Sequence, residues 1–243
     1  MPEVMTQKQQ TKLKATALIG LIALAAMGMS QGAVSPGLAR FAEVWPQYIA
    51  NIALINTLPS LIAIPASLLS GWLADHGYLS YKQLALLGMV IATVGGLAPL
   101  ALFGSFPMVL VCRACFGLGM GLFQPVASSV ILLMVPGERA RHYLSITSAA
   151  SSMGGILFQT LGGFLCDVDA RLSFAAYIVS GVATILVLLF LPNPPRAKAL
   201  PKSGSEKEPI GHRIFGWAVM NLLFSGCFFI LTNELSMVVI GNG

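Results

Sequence analysis

The chain has 243 residues, of which 56% are hydrophobic and only 9% charged, with a formal net charge of +5. An average soluble domain is roughly a quarter charged, because a globule in water needs a polar shell. So little charge on a chain of this length excludes a water-soluble fold and implies an all-α integral membrane protein.

Uncharged runs of about 20 residues recur, and each is long enough to cross a hydrocarbon layer of about 30 Å at about 1.5 Å per residue. In chain order they predict seven spans: 15–34, 49–74, 84–103, 108–135, 144–166, 172–191 and 214–233. The basic head at Lys8, Lys12 and Lys14 followed by an apolar run is also the pattern of a signal peptide. With six further spans behind it, an uncleaved first helix is the simpler reading. Of the 14 Lys and Arg residues, only Arg113 lies inside a span. With the N-terminus in the cytoplasm and the sides alternating, only Arg40 and Arg171 of the bases between spans fall outside; the other 11, Lys82, Arg139, Arg141 and Arg196 among them, fall inside. That asymmetry is the positive-inside bias. It accounts for the basicity through topology, with no nucleic-acid partner, and predicts a multi-pass protein of the cell (inner) membrane.

The second span ends at "GWLADHGYLS", residues 71–80, a polar island in an apolar chain. An aspartate at a helix C-terminus meets the negative end of the helix dipole, and a carboxylate beside apolar surface carries a desolvation cost. Asp75 therefore needs a base or the N-terminus of another helix as a partner, and such a tie on one face would latch that face shut. The alternative is a solvated loop aspartate. Pro59 and Pro65 in the second span and Pro125 in the fourth are expected to bend their helices.

The fourth span contains Arg113 and a C-x-x-C, Cys112 and Cys115, with neither a second pair nor a nearby histidine to make a metal site. Arg113 faces a cavity or partner, or snorkels outward. Small residues four apart, Gly117 and Gly121, Ser67 and Gly71, Ser151 and Gly155, predict close helix packing. The uncharged polar groups Gln31, Asn56, Gln124, Gln159, Thr160 and Asn221 at span depth either line a cavity or bond between helices. The first six spans contain no acid. Glu234, at the outer end of the seventh, is the candidate membrane carboxylate, with a boundary glutamate as its alternative.

Residues 193–213, "NPPRAKALPKSGSEKEPIGHR", are rich in Pro, Ser, Lys and Glu and read as a cytoplasmic linker. The domain plan is thus a bundle over 1–192, a linker over 193–213, and over 214–243 the first helix of a second bundle. The six spans also repeat internally. "GWLAD" (71–75) returns as "GFLCD" (163–167), and Gly28-Met29 returns as Gly119-Met120. An offset of three helices turns the second copy upside down, the pattern of inverted repeats that frame a mid-membrane site.

These stretches resemble the major facilitator superfamily. Gly71, Leu73, Ala74 and Asp75 match its loop motif between the second and third helices; His76 stands where a base is usual, Gly77 comes one place early, and of the bases only Lys82 remains nearby. "LVCRACFGLGMG" is similar to the fourth-helix motif with Arg113 ahead of Gly117, Gly119 and Gly121. "GGILFQTLGG" (154–163) resembles the glycine-rich fifth helix of drug antiporters without its Gly-Pro pair. "PGERARHYLS" and "ARLSF" resemble the loops before the fifth and sixth helices. The resemblance runs over about 15–235. It implies a twelve-helix transporter fold of which this chain carries two inverted three-helix repeats and a seventh helix. The implied activity is secondary active transport by alternating access, proton-coupled efflux of an amphipathic small molecule first and import of a small neutral or anionic solute second. The gating candidates are Gly71, Asp75 and Lys82; the resemblance associates Arg113, and a membrane carboxylate such as Glu234, with proton coupling, and Gln124, Gln31, Asn56 and Gln159 remain substrate candidates from their polarity at span depth. No cofactor is expected beyond a proton gradient. The partners are a solute, the bilayer and a missing C-terminal half, without which the chain is expected not to transport; a truncated, non-transporting membrane protein is the other expectation. No paired carboxylates, nucleotide loop or His/Asp/Glu cluster points to an enzyme.

Overall fold

The computed structural model describes residues 15–135 and 138–191, together with helical positions 216, 219, 220, 223, 224 and 227. The linker, Asn221 and Glu234 lie outside the described residues. Every element among the described residues is helical. Six helices are long and apolar enough to cross a membrane: α1 (Thr16–Val44), α2 (Pro46–Asp75), α3 (Tyr81–Leu102), α4 (Phe106–Met134), α5 (Glu138–Val168) and α6 (Ala170–Phe190).

The first six of the seven sequence-predicted spans lie within these helices to within a few residues, but α1 and α5 run further; the seventh, 214–233, lies largely outside the described residues. The helical path of α1 continues past Val34 through a 3₁₀ stretch, Met27–Gly37, that contains Pro36, and then an α-helical turn, Leu38–Val44. The extension persists because it has something to pack on. Phe41 stacks on Phe174 at 5.6 Å, and Trp45, just past its end, lies 4.6 Å from Phe103 and 5.5 Å from Phe106. Arg40 and Glu43 on its open side pair at 3.7 Å. Similarly, α5 begins at Glu138, ahead of the apolar run that opens at Leu144. Charged residues end the apolar layer, not the helix.

Two helices sit at the centre. α4 packs between α2 and α3, and α1 packs between α5 and α6, while α3 and α6 touch each other. Exchanging the first three helices for the last three maps one set of contacts onto the other, as expected for an inverted repeat. α4 is the most enclosed, with 61% of its apolar window buried, against 28% for each of α2 and α5. The two symmetry-related helices α2 and α5 therefore present the most uncovered surface.

Glycines make the central crossings close. A Cβ at Gly117 would strike the Pro59 carbonyl, and one at Gly121 the Ala63 carbonyl, so α2 lies backbone-to-backbone on α4. On the other side, Gly154 abuts the Ala26 carbonyl and Gly162 the Ala33 carbonyl, which does the same for α5 on α1. Helices in lipid gain no hydrophobic drive from meeting, so this backbone proximity and its van der Waals contact hold the bundle together. The packing repeats, but the glycines do not. Gly28 faces the Ser151 hydroxyl, whereas Gly119 abuts Ala92 and Gly88 of α3. Of the expected small-residue pairs, Gly71 touches nothing within 4 Å. The Ser67–Gly71 pair is therefore not a crossing point.

The corner between α2 and α3 closes on its own hydrogen bonds. Gly77, at φ +70°, follows the helix end; its N–H donates to Ala74 O and that of Tyr78 to Leu73 O, both at 3.1 Å. Only a glycine takes that backbone without strain, which explains why Gly77 comes one place early. Ser80 then caps α3 in a reciprocal box with Gln83.

Candidate functional site

Two groups of polar side chains in the bundle stand out. The first is around Arg113, in the second turn of α4, whose side chain is fully buried. Its Nε donates to Ile55 O of α2 at 2.9 Å and its Nη1 to Tyr177 Oη of α6 at 3.0 Å. The guanidinium carbon sits 4.4 Å from the centre of the Phe116 ring and 5.5 Å from that of Tyr177. Arg113 thus joins three helices, with ring faces and a carbonyl compensating its charge in place of a carboxylate. Nη2 has no hydrogen-bond partner among the described residues. The side chain neither snorkels nor borders either groove described below.

The second borders an open groove of roughly 480 Å³ where α1, α2, α4 and α5 meet. Its lining mixes apolar residues, Leu24, Ala25, Met29, Phe123, Pro125 and Ala127, with polar ones, Ser67, Gln124, Ser128, Thr147, Ser148 and Ser151. A smaller groove of roughly 230 Å³ adjoins it, bordered by Gln31, Ser60, Met120 and again Ser67 and Gln124. Gln124 stands between the two, its amide donating to Gly28 O at 3.0 Å and so reaching across from α4 to α1.

The sequence-predicted residues separate accordingly. Gln124 and Gln31 border the grooves. Gln31 donates to Asn56 O and to Ser60 Oγ, both at 2.7 Å, a link between α1 and α2. Asn56 is buried and donates to Ser35 Oγ at 3.1 Å, so it serves helix contact. Gln159 is exposed on α5 and lies over Gly32, outside both grooves. Gly71 and Asp75 are exposed near the end of α2, and Lys82 is half-buried at the start of α3. Asp75 makes no hydrogen bond or ion pair with any described residue, so no latch partner is found for it among them. Its repeat counterpart Asp167 is likewise exposed, near the end of α5.

Sequence reasoning missed Tyr177 and the α5 hydroxyls. The stretch "ITSAASS" (146–152) puts Thr147, Ser148 and Ser151 at helical spacing on one face, a readable signal once hydroxyls are counted with amides. Tyr177 gave only the weaker sign of a lone phenol inside an apolar span.

Comparison with known proteins agrees with this fold. The sequence profile of the Major Facilitator Superfamily matches residues 16–241. The putative multidrug resistance protein MdtD of Escherichia coli strain K12 is 25% identical over 158 residues, and so is its counterpart in Shigella boydii serotype 4. Each alignment covers 63% of this chain and 32% of the relative. The chain thus spans about a third of the length of these curated relatives. Among solved structures, a POT family transporter in complex with a thioalcohol-conjugated peptide superposes with a TM-score of 0.54 at 16% identity. That match covers 90% of this chain and 47% of the other, a likeness of fold. Six apolar helices in two inverted triplets and a profile match over nearly the whole chain carry one conclusion: the protein belongs to the major facilitator superfamily, a family of membrane transporters and not of enzymes.

Proposed function

We propose that this chain forms the first bundle of a secondary active carrier that exports a small amphipathic molecule across the inner membrane, N-terminus inside, by alternating access. The proton gradient drives it, and a second bundle faces the groove. The observation that supports this reading is the groove itself. It is half apolar and half hydroxyl and amide, it opens at the junction of both repeats, and it is bordered by α2 and α5, the two least covered helices. A site at the interface of inverted repeats is what alternating access requires. The multidrug resistance naming of the E. coli relative favours export of an amphipath.

The test is reconstitution. The purified 243-residue chain in proteoliposomes is expected to give no proton-driven movement of a fluorescent amphipathic dye. Co-reconstituted with the second half of the E. coli relative, it is expected to acquire movement that Gln124→Leu reduces. Transport by the chain alone refutes the one-bundle reading.

A further inference from the structure

We infer that this bundle selects an uncharged ligand bearing hydrogen-bond acceptor oxygens, and disfavours organic cations. The inference deepens the carrier reading and rests on the groove being the ligand site.

Three observations carry it. First, no residue bordering either groove is charged. An organic cation placed there would lose water and gain no counter-charge from this bundle, and a buried unpaired charge is far costlier than a buried neutral group. Second, the one charge buried among the described residues is positive. Arg113 lies on α4 about 16 Å along the helix from Gln124, at about 1.5 Å per residue. A permanently charged guanidinium with no carboxylate partner projects a positive potential through a medium that screens weakly. That field opposes a cation in the groove and leaves a neutral molecule unaffected.

Third, the polar part of the lining has donors to spare. Ser67 donates to Ile64 O in its own helix at 2.8 Å, and Thr147 is bound to Tyr143 O and Leu144 O. By contrast, the hydroxyls of Ser128, Ser148 and Ser151 donate to no described residue. These three hydroxyls share the groove lining with Leu24, Met29 and Phe123. A molecule with an apolar body and a carbonyl, ether or phosphine-oxide oxygen matches both kinds of lining at once. A quaternary cation offers those hydroxyls nothing to bond.

The groove's charge preference can be read with one reporter thiol. Ser148→Cys is placed in the full chain after the exposed Cys115 and Cys227 are changed to alanine. Its reaction rates are measured with trimethylammonium-ethyl, hydroxyethyl and sulfonatoethyl methanethiosulfonate, each divided by the rate with 2-mercaptoethanol. The cationic reagent is expected to run at least about threefold behind the uncharged one, and Gln124→Glu, which adds the missing carboxylate, to recover at least about threefold for the cation. In the same protein, triphenylphosphine oxide is expected to protect the reporter thiol from the uncharged reagent. Methyltriphenylphosphonium, which has the same rings with a charge and no oxygen, is expected to give at most about a tenth of that protection at equal concentration. A cationic reagent as fast as the neutral one, or equal protection by the two phosphorus compounds, overturns the inference and leaves the carrier reading standing. A reporter thiol inert to all three reagents, yet reactive after unfolding in detergent, removes the groove as a ligand site and takes the carrier reading with it.

Discussion

The two ends of α4 solve the problem of polar groups inside a membrane in opposite ways. Toward its N-terminal end, Arg113 is charged, sealed and bonded to two other helices. Toward its C-terminal end, Gln124 is neutral and exposed, and shares its groove with the hydroxyls of Ser128, Ser148 and Ser151, which donate to no described residue. Charge on a membrane helix therefore marks a joint here, and the less conspicuous amide marks the opening. An intramembrane ionisable residue is a good first suspect for function. In this bundle its geometry is that of a bolt through three helices.

The largest expected effect breaks that bolt. Arg113→Ala leaves the Tyr177 hydroxyl and the Ile55 carbonyl without their partner and opens a cavity, a loss of about 3–5 kcal/mol in unfolding free energy. Denaturation of the purified chain in mixed micelles measures it. A loss under about 1 kcal/mol would place Arg113 among the groove residues and erase the contrast. Next comes Tyr177→Phe, which removes one hydrogen bond to a charged group. It is expected to cost about 1.5–3 kcal/mol by the same assay, or less where the guanidinium shifts toward the ring faces. Gly162→Ala follows, since its new methyl meets the Ala33 carbonyl. Moving α5 off α1 is expected to cost about 1–3 kcal/mol. At the other end of α4, Gln124→Leu loses one interhelical bond, a cost of about 0.6 kcal/mol. Its effect should appear instead as altered labelling of a thiol in the groove. Smallest is Gly71→Ala. It has open space around it and sits in a helix, so stability is expected to stay level or rise by about 0.5–1 kcal/mol. A large loss there would mean that the loop motif's glycine packs against something outside the described residues.

Much of this was legible in the sequence, and the failures have physical causes. Hydropathy found the six spans because the apolar layer imposes a length on every crossing. It stopped α1 at Val34, well short of Val44, because Pro36 and Arg40 look like an ending. The Phe41–Phe174 and Trp45–Phe103 contacts that keep the helix going lie far apart in sequence. The repeat was visible in GWLAD and GFLCD, and the packing does repeat. Yet Gly28 and Gly119, matched by position, face different helices, because either partner of a crossing can supply the missing side chain. Arg113 stood out as a lone charge, but its direction was not readable, since both Ile55 and Tyr177 arrive from other helices. The Ser80–Gln83 capping box was a local signal and could have been found, as could the serines of α5.

The glycine-lined crossings join the first triplet to the second: α2 lies on α4, and α5 lies on α1. Neither triplet holds most of its own contacts. A triplet on its own would therefore leave its small-residue faces unmet, and the bundle closes only when α4 lies beside α2 and α5 beside α1.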